Sequence, residues 1–256
     1  MEQRDSFDAV ADLYGEARPG YPAALYDDLA RLAGLDRSAT VLEVGCGAGQ
    51  ATRDLAARAR WVTAVDPGEQ LIAQARKRVP ARNVNFVVTP FENYDPSPGM
   101  FDLVASAQAW HWVDAAIGFP KAAKALRTGG AFAIFGHVPR TPEGDLGEAF
   151  RQVYEAHIPG AWSQPPPQAW YMPDGPVAGI IAATGLFGPV VHRGYKWTWE
   201  LDPQTLGRYL RTDSSYHVLP EPQRFALFDD LAKAVAENGG VVQWPWETHL
   251  YVAGRR

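Results

Sequence analysis

The residues best suited to chemistry form one glycine-rich segment, Glu43–Gly49, which reads EVGCGAG. Glycines permit a positive φ and let backbone N–H groups approach a ligand closely. The segment follows a short apolar run and precedes a predicted helix, whose first N–H groups lack partners and carry a partial positive charge. This pattern predicts a loop that cradles a ligand through backbone atoms.

A second acid indicates which ligand. Asp66 ends the next predicted strand, seventeen residues after Gly49, and an acid there can accept hydrogen bonds from both hydroxyls of a ribose. A dinucleotide fingerprint is not matched, because Gln50 stands where that pattern requires Gly or Ala. Glu43 places a carboxylate beneath the loop, which suits a cationic amino-acid portion better than a pyrophosphate. S-adenosylmethionine, with an ammonium, a sulfonium and one ribose, is therefore the expected cofactor.

Strands alternating with helices must position these residues. Short apolar runs predict strands over 40–44, 61–65, 84–88, 101–106 and 130–136. Predicted helices cover residues 22–33, a stretch through Leu55, residues 69–79 and a stretch to about Leu126, the last interrupted before Pro120. This alternation implies βαβ units in a doubly wound, mostly parallel sheet. Ligands of such sheets bind at the carboxyl ends of the strands.

After residue 137 the alternation is lost. Residues 138–186 are rich in Pro and Gly and predict an inserted cap of loops and helices. A strand is predicted over 189–200, with Tyr195, Trp197 and Trp199 on one face, and helices over 203–211 and 221–237. The last strand, 241–253, is expected to be interrupted by Pro245, which suggests a bulge or an edge position.

Four segments together resemble class I S-adenosylmethionine-dependent methyltransferases: VLEVGCGAG, AVDPGEQLI, FDLVASAQAWHWVD and ALRTGGAFAI. DLYGEARPGYP, AQAWHWVD and LRTDSSYHVLPEPQRF further resemble a small-molecule subgroup, the trans-aconitate methyltransferases. The resemblance implies an α/β fold with a seven-stranded, mostly parallel, doubly wound sheet. It also implies in-line methyl transfer to oxygen or nitrogen of a small molecule. We expect one domain over 1–256, consisting of a lid (1–39), a cofactor-binding core (40–137), the cap (138–186) and C-terminal strands and helices that complete the sheet and acceptor pocket (187–256).

The resemblance also implies the cofactor-binding residues. They are Tyr14, Arg18, Glu43, Gly45, Cys46, Gly47, Gly49, Asp66, Pro67, Phe91, Glu92, Ala107, Gln108 and Trp110. Arg18 would meet the cofactor carboxylate, Asp66 would hold the ribose, and Glu92 would substitute for the acid that many relatives place near the adenine. Ordinary structural roles compete with several of these assignments: Asp66 as a helix cap, Arg18 as the partner of a surface acid, Glu43 as a scaffold for the loop, Cys46 as a small loop residue and Gln108 as a partner for backbone groups.

Two histidines are candidate catalytic residues, His111 beyond the fourth strand and His137 at the end of the fifth. Displacement at a sulfonium needs a general base only when the acceptor carries a proton, and a histidine with a pKa near neutrality could then serve. The alternative for each is a partly buried histidine that satisfies backbone groups. The predicted acceptor-binding residues are Trp112, Trp162, Trp170, Tyr171, Trp197 and His217.

Composition and charge limit the classes of partner that the sequence favours. The net charge is -5, which argues against general nucleic-acid binding, and no apolar run is long enough to span a bilayer. The polar, acidic start predicts a cytoplasmic protein. One cysteine and six unclustered histidines predict no metal. We expect a monomer or homodimer with a small-molecule acceptor. Three alternatives remain open: an NAD(P)-dependent oxidoreductase, an RNA methyltransferase and a non-catalytic nucleoside-binding protein.

Overall fold

A computed structural model describes residues 17–213, 216 and 219–256. Tyr14 and His217, both expected to contribute to the site, lie outside the described residues. Seven strands form one sheet: β1 (Thr40–Val44), β2 (Trp61–Asp66), β3 (Val84–Val88), β4 (Phe101–Ala107), β5 (Leu126–Pro139), β6 (Val191–Leu201) and β7 (Val242–Gly254). Their order is β3-β2-β1-β4-β5-β7-β6, and β7 runs antiparallel to both of its neighbours. The predicted fold class is confirmed.

Helices cover both faces of the sheet. They are α1 (Ala23–Ala33), α2 (Gln50–Ala56), α3 (Glu69–Arg78), α4 (Ala115–Ala125), α5 (Gly144–His157), α6 (Val177–Ala183), α7 (Pro203–Arg211) and α8 (Glu221–Glu237). Short 3₁₀ helices occupy Phe91–Asn93, Trp110–Trp112, Ala161–Ser163 and Pro167–Tyr171. No described helix is long and apolar enough to cross a membrane.

Alternation along the strands separates two cores. Val41 and Leu103 pack under α1, α2 and α3, whereas Leu42 and Val104 pack under α4 and α6 on the opposite face. Successive side chains of a strand point to opposite faces, so a strand apolar at every position is buried on both sides. This explains why the first half of the chain reads as alternating apolar runs and amphipathic helices.

The predicted cap packs in two directions. Helix α5 joins α7 and α8 in a third apolar cluster, which includes Phe150, Leu206 and Leu227. Helix α6 instead packs against the sheet through Val177 and Ile181. The limits proposed for the cap therefore stay a prediction, because one of its helices contributes to the main core.

The interruption expected before Pro120 is wrong. Helix α4 runs through Pro120 without a break. Proline removes only one hydrogen bond of the helix, the one to the Ala116 carbonyl. Phe119, Ala122 and Ala123 on either side are buried against the sheet, and this packing keeps the helix continuous.

The interruption expected at Pro245 is also wrong. The proline is nevertheless tolerated for the reason that applies at a sheet edge, namely that its nitrogen faces no ladder partner. Strand β7 is continuous from Val242 to Gly254 and pairs Pro245 with Thr198 of β6. The Pro245 carbonyl accepts a hydrogen bond from the Arg140 N–H at 2.9 Å, just past the last β5 pair, between Pro139 and Trp246. The proline nitrogen therefore faces a point where β5 has ended, and no ladder bond is lost.

Candidate functional site

The glycine loop forms a cradle between β1 and α2. Gly45, Gly47 and Gly49 have φ values of 72°, 53° and 85°, in the region that favours glycine. A Cβ at Gly45 would lie 2.3 Å from the Ala109 Cβ, so the loop touches the segment after β4. A Cβ at Gly49 would meet Val79 and Ala75 at 3.2–3.3 Å, so this glycine permits α2 to pack on α3.

Asp66 fastens the loop to the end of β2. Its Oδ2 accepts the Gly47 N–H at 2.9 Å, and its Oδ1 accepts the Gly68 N–H at the same distance. The carboxylate is buried, with 7% of its surface exposed, yet it lines the cavity beside the loop. A carboxylate oxygen accepts more than one hydrogen bond, so both oxygens can also receive ribose hydroxyls. The bond to Gly68 does not reach the first-turn amides of α3, so Asp66 is not a helix cap of the ordinary kind.

Glu43 lies beneath the loop with both carboxyl oxygens buried and without a hydrogen-bond partner among the described residues. Burial, opposed by the nearby Thr52 hydroxyl and aided by the Asp66 charge, raises the pKa of Glu43 to about 8. A cation that reaches this acid would favour its ionised form. The same burial, with the Asp66 and Glu43 charges, raises the pKa of Cys46 well above its usual value. Its thiol is therefore a small loop group and not a nucleophile.

These residues line one cavity at the carboxyl ends of the strands, here called the strand-end cavity. The predicted residues that line it are Arg18, Glu43, Gly45, Cys46, Gly47, Asp66, Pro67, Phe91, Glu92, Ala107, Gln108, Trp112 and His137. The cavity lies where β1 meets β4, at the point where the strand order reverses. This is the place at which open α/β sheets bind ligands.

The loop after β3 forms the apolar wall opposite Asp66. Phe91 is 3% exposed and packs under the cavity, and Lys121 fixes the loop by donating to the carbonyls of Phe91, Glu92 and Tyr94. Glu92 Oε1 accepts the Asp114 N–H at 3.0 Å, which orients its carboxylate along the cavity wall.

Gln108 closes the end of β4. It is the one described non-glycine residue with a positive φ, 58°. Its side-chain amide exchanges two hydrogen bonds with the His137 backbone: Oε1 accepts the N–H at 2.7 Å and Nε2 donates to the carbonyl at 3.3 Å. Gln108 thus satisfies backbone groups and lines the cavity at once, because its unusual backbone turns the side chain toward β5.

Arg18 and His137 form the far wall. Arg18 donates to the Thr212 carbonyl at 2.7 Å and to its hydroxyl at 3.1 Å, and its guanidinium lies 4.8 Å from the Tyr209 ring centre. His137 stacks on Tyr21 and shares a 2.8 Å hydrogen bond between Nδ1 and Thr248 Oγ1. Its Nε2 has no partner of good geometry in the described chain, although the Gly20 carbonyl slightly favours the charged form.

Burial, with the Arg18 charge, lowers the pKa of His137 to about 3. The imidazole is therefore neutral at pH 7 and a weak proton acceptor.

Several predicted residues lie elsewhere. Trp110 is 2% exposed and packs against Phe91, Phe119 and Phe132 in the core, not under the cavity. His111 lies outside the cavity lining, and its Nδ1 is 3.1 Å from the Tyr171 hydroxyl. Burial of its ring lowers the pKa of His111 to about 4, although the residue as a whole is exposed. A catalytic role for His111 stays a prediction, without a place in this cavity.

The predicted acceptor-binding aromatics are dispersed. Tyr171 is buried against Gly136 of β5, with Trp170 packed on its ring. Trp197 donates its Nε1–H to Thr248 Oγ1 at 2.9 Å, and its ring contacts the His137 ring. Trp162 lines a separate cavity together with Phe150 and Trp244, and of the described members of this set only Trp112 lines the strand-end cavity.

Sequence reasoning missed three residues that line the cavity from the second half of the chain: Gln168, Tyr209 and Trp246. Each is far in sequence from the glycine loop, and no local motif relates them to it. The alternation of Trp244 and Trp246 along β7 was the available signal, since it marks one face of a strand. No cluster of three His, Cys, Asp or Glu side chains suited to a metal occurs among residues 17–213, 216 and 219–256.

The sheet order and the glycine loop at its switch point agree with the fold implied by the resemblance to class I S-adenosylmethionine-dependent methyltransferases. Residues 41–130 match the family model of a methyltransferase domain, in agreement with the predicted enzyme class. The predicted cofactor, S-adenosylmethionine, agrees with the description of the Saccharomyces cerevisiae relative given below.

Relatives agree with this class. An uncharacterized methyltransferase of Mycobacterium tuberculosis strain H37Rv is 35% identical over 129 residues, which cover 50% of this chain and 51% of the relative. A probable S-adenosylmethionine-dependent methyltransferase of Saccharomyces cerevisiae is 29% identical over 148 residues, which cover 56% of this chain and 50% of the relative. The chain thus spans about half the length of the curated relatives it matches. A solved structure from Anaeromyxobacter dehalogenans, provisionally assigned as a type II methyltransferase, superposes with a TM-score of 0.64 at 26% identity, covering 93% of this chain and 96% of the other.

Proposed function

We propose that the chain transfers a methyl group from S-adenosylmethionine to oxygen or nitrogen of a small organic molecule. One observation supports the proposal: the lining of the strand-end cavity includes a buried acid without a hydrogen-bond partner among the described residues, a glycine loop and a second buried acid that suits ribose hydroxyls. Glu43 near the end of β1, Gly45 in the loop and Asp66 at the end of β2 supply these three features.

The residues present fit this cofactor. Asp66 would accept the ribose hydroxyls, Phe91 and Pro67 would enclose the adenine, and Glu92 would receive its amino group. Glu43 would contact the ammonium group of the cofactor, and Arg18 at the far wall would form an ion pair with the cofactor carboxylate. The cavity is therefore lined by acids near the glycine loop, Glu43 and Asp66, and by a base, Arg18, at its far wall.

When bound, the cofactor supplies an electrophilic methyl group on a sulfonium. The protein then has to align donor and acceptor and exclude water. Gln108 and the buried rings of Tyr209 and Trp246 line the cavity where β4 and β5 end, and they suit this task. His137 is neutral and weakly basic, so its role would be orientation and not proton abstraction.

A small-molecule acceptor is supported by the enclosure of the site and by the net charge of -5, which does not favour a polyanion. The narrower resemblance to trans-aconitate methyltransferases, which would imply a carboxylate acceptor, stays a prediction. The same holds for a cytoplasmic location and for a monomer or homodimer.

Calorimetric titration tests the cofactor assignment. S-adenosylmethionine and S-adenosylhomocysteine should bind at one site per chain, and NAD should not bind. Preferential binding of NAD would replace the proposal by an oxidoreductase.

A methyl-labelled donor, incubated with small molecules and separately with tRNA, should label the small-molecule fraction. Label found only in tRNA would favour the RNA methyltransferase instead, and tight binding with no transfer to any acceptor would favour a binding protein.

A further inference from the structure

A second cavity lies beside helix α5, here called the cap cavity. Its volume is about 360 Å³. Aromatic rings and consecutive prolines form much of its wall: Phe150, Tyr154, Trp162, Trp244 and the run Pro165–Pro167. A cavity of this size and lining matches sites that enclose small organic ligands.

Neighbouring groups hold these walls in place. The Trp162 ring packs against the Tyr154 ring with 5.4 Å between their centres, and the Trp244 ring meets the edge of Phe150 at 6.1 Å. Pro166 has φ of -63° and ψ of 152°, the extended polyproline conformation, in which proline has little backbone freedom to lose. The site is therefore largely formed before a ligand enters, which lowers the cost of binding.

The hydroxyl and indole groups of the walls bind one another. The hydroxyls of Tyr154 and Tyr216 are hydrogen-bonded to each other, and the Trp244 Nε1–H donates to the Arg140 carbonyl at 2.7 Å. Within the described part of the chain, no side chain that lines the cap cavity has a fully buried polar atom without a hydrogen-bond partner. These walls therefore do not require a polar ligand.

The strand-end cavity differs in this respect. Glu43, His137 and Trp246 line it, and each has a buried polar atom without a hydrogen-bond partner among residues 17–213, 216 and 219–256. Such atoms favour a polar ligand, because burying them unsatisfied costs free energy. The two cavities are thus suited to different chemistry, the strand-end cavity to a polar molecule and the cap cavity to an apolar one.

The charged side chains at the cap cavity are already engaged. Asp213 accepts hydrogen bonds from the Gln168 Nε2 and the Tyr209 hydroxyl. Arg140 has its Nε 3.9 Å from Glu247 Oε1, and 48% of its side chain is exposed to solvent. An ion that entered this cavity would exchange its hydration shell for apolar walls and groups that have other partners, whereas an uncharged molecule would lose little.

The cap cavity adjoins the strand-end cavity. Gln168 and Tyr209 line both. Gln168 belongs to the 3₁₀ helix Pro167–Tyr171 and Tyr209 to α7, so the boundary lies where these two helices approach each other. A molecule that fills the cap cavity can therefore extend past this boundary to the cavity that is proposed to hold the cofactor.

We infer that the cap cavity binds an uncharged, planar aromatic body that belongs to the methyl acceptor. The accepting oxygen or nitrogen then lies past Gln168 and Tyr209, in the strand-end cavity. The inference rests on the proposed function and specifies its substrate class. A planar body is favoured because ring stacking on faces such as that of Trp162 adds to the gain from burying apolar area.

Four probes test the chemistry of the body: 2-naphthylmethanol, its fully saturated analogue, 2-naphthoate and 2-naphthylmethylamine. Each is titrated calorimetrically at pH 7 into the full chain saturated with S-adenosylhomocysteine. The aromatic alcohol should bind roughly tenfold more tightly than either ion, because each ion loses its hydration without compensation. It should also bind at least about threefold more tightly than the saturated alcohol, because stacking is lost there.

A linked probe tests whether the body belongs to the acceptor. Thioadenosine carries on its 5′ sulfur a chain of about three to six methylene groups that ends in either a naphthyl or a methyl group. At the best length the naphthyl compound should bind at least roughly tenfold more tightly than the methyl-ended compound, because one molecule then occupies both cavities. The absence of this gain at every length would refute the assignment of the cap cavity to the acceptor.

Two substitutions place the probes in the cap cavity, each with a matched control. Ala161→Phe narrows the cavity and should weaken binding of 2-naphthylmethanol roughly tenfold, whereas Ala156→Phe, at an exposed position of α5 that lines neither cavity, should not. Trp162→Ala removes a ring face and should reduce the preference for the aromatic over the saturated alcohol to less than about twofold. Trp61→Ala, at a position 39% exposed and outside both cavities, should preserve that preference.

Equal binding of the four probes, tighter binding of either ion than of the aromatic alcohol, or no binding of any probe would overturn the inference. So would unaltered binding in both Ala161→Phe and Trp162→Ala, and if Ala161→Phe does not fold, Trp162→Ala decides alone. Binding of S-adenosylhomocysteine is measured before any probe is added. Its absence would refute the proposed function, whereas its presence without the expected order of probes would refute only the assignment of the cap cavity.

Discussion

Asp66 Oδ2 lies 2.9 Å from the amide nitrogen of Gly47, and this bond joins the end of β2 to the middle of the glycine loop. The acid that is expected to hold the ribose thus also shapes the cradle for the rest of the cofactor. Loop geometry and the expected recognition of the sugar would therefore depend on one side chain.

Removing this side chain should impair both. Asp66→Ala takes a buried charged acceptor from the Gly47 and Gly68 amides and from the ribose hydroxyls. The expected loss of binding free energy is about 1.5–3 kcal/mol, or roughly 10- to 150-fold in the dissociation constant of S-adenosylhomocysteine. Calorimetry measures it, with Asp95→Ala as control, since the Asp95 side chain is 87% exposed. An unchanged affinity would contradict the ribose assignment.

Gly45→Ala should disrupt the cradle by sterics alone. The new Cβ would lie 2.3 Å from the Ala109 Cβ, and the φ of 72° disfavours a side chain. We expect the variant to lose cofactor binding and to unfold at lower denaturant concentration. Gly179→Ala is the matched control, because a Cβ there meets nothing within 4 Å. Gly179 lies inside helix α6, so its replacement should stabilise the protein by about 0.5–1 kcal/mol. Equal denaturation midpoints for the two variants would refute the steric argument.

Glu43 should make stability fall as pH rises. Burial raises its pKa from 4.5 to about 8, so between these values the unfolded chain loses a proton that the folded chain keeps. The free energy of unfolding should decrease across this window and level off above it. Glu43→Gln should remove this component, whereas Glu237→Gln, at a position 65% exposed, should not. Denaturant unfolding at several pH values measures the slopes, and parallel slopes for wild type and Glu43→Gln would exclude the raised pKa.

The same acid should report on cofactor binding. A cation placed next to protonated Glu43 favours its ionised form, so binding at pH 7 should release a proton. Calorimetric titration of S-adenosylmethionine in two buffers of different ionisation enthalpy detects that proton. The release should disappear in Glu43→Gln, and its persistence there would assign the proton to another group.

His137 should make the protein labile to acid. Burial lowers its pKa from 6.5 to about 3, so from about pH 6.5 downward the unfolded chain binds a proton that the folded chain does not. Stability therefore falls with decreasing pH, by at most about 1.4 kcal/mol per pH unit from this residue. His137→Gln should show a shallower decline between pH 6 and pH 4 than His157→Gln. The opposite order would place the titrating histidine elsewhere.

The first half of the fold could be predicted because its signals are local. Val41 and Leu42 each face a buried layer, so apolar runs mark strands directly. Gly45 follows β1, and Asp66 is the last residue of β2. The two predictions based on proline were wrong. Whether the missing backbone N–H of a proline matters depends on its surroundings: packing keeps the helix continuous at Pro120, and β5 has already ended opposite Pro245. Neither fact is visible in the sequence.

The far wall of the site could not be predicted, because it depends on contacts between distant segments. Tyr209 reaches the strand-end cavity through the packing of α7, and Trp246 through its place on β7, between β5 and β6. Trp110 has the composition of a pocket residue yet lies in the core, where three phenylalanine rings surround it. Residue type alone does not separate these two outcomes.

Gln168 and Tyr209, which line both the strand-end cavity and the neighbouring cavity that Trp162 lines, belong to the later half of the chain, whereas the glycine loop belongs to the earlier half. Substitutions in the later half could therefore reshape the boundary between the two cavities while leaving the loop unaltered, which gives engineering a natural place to begin.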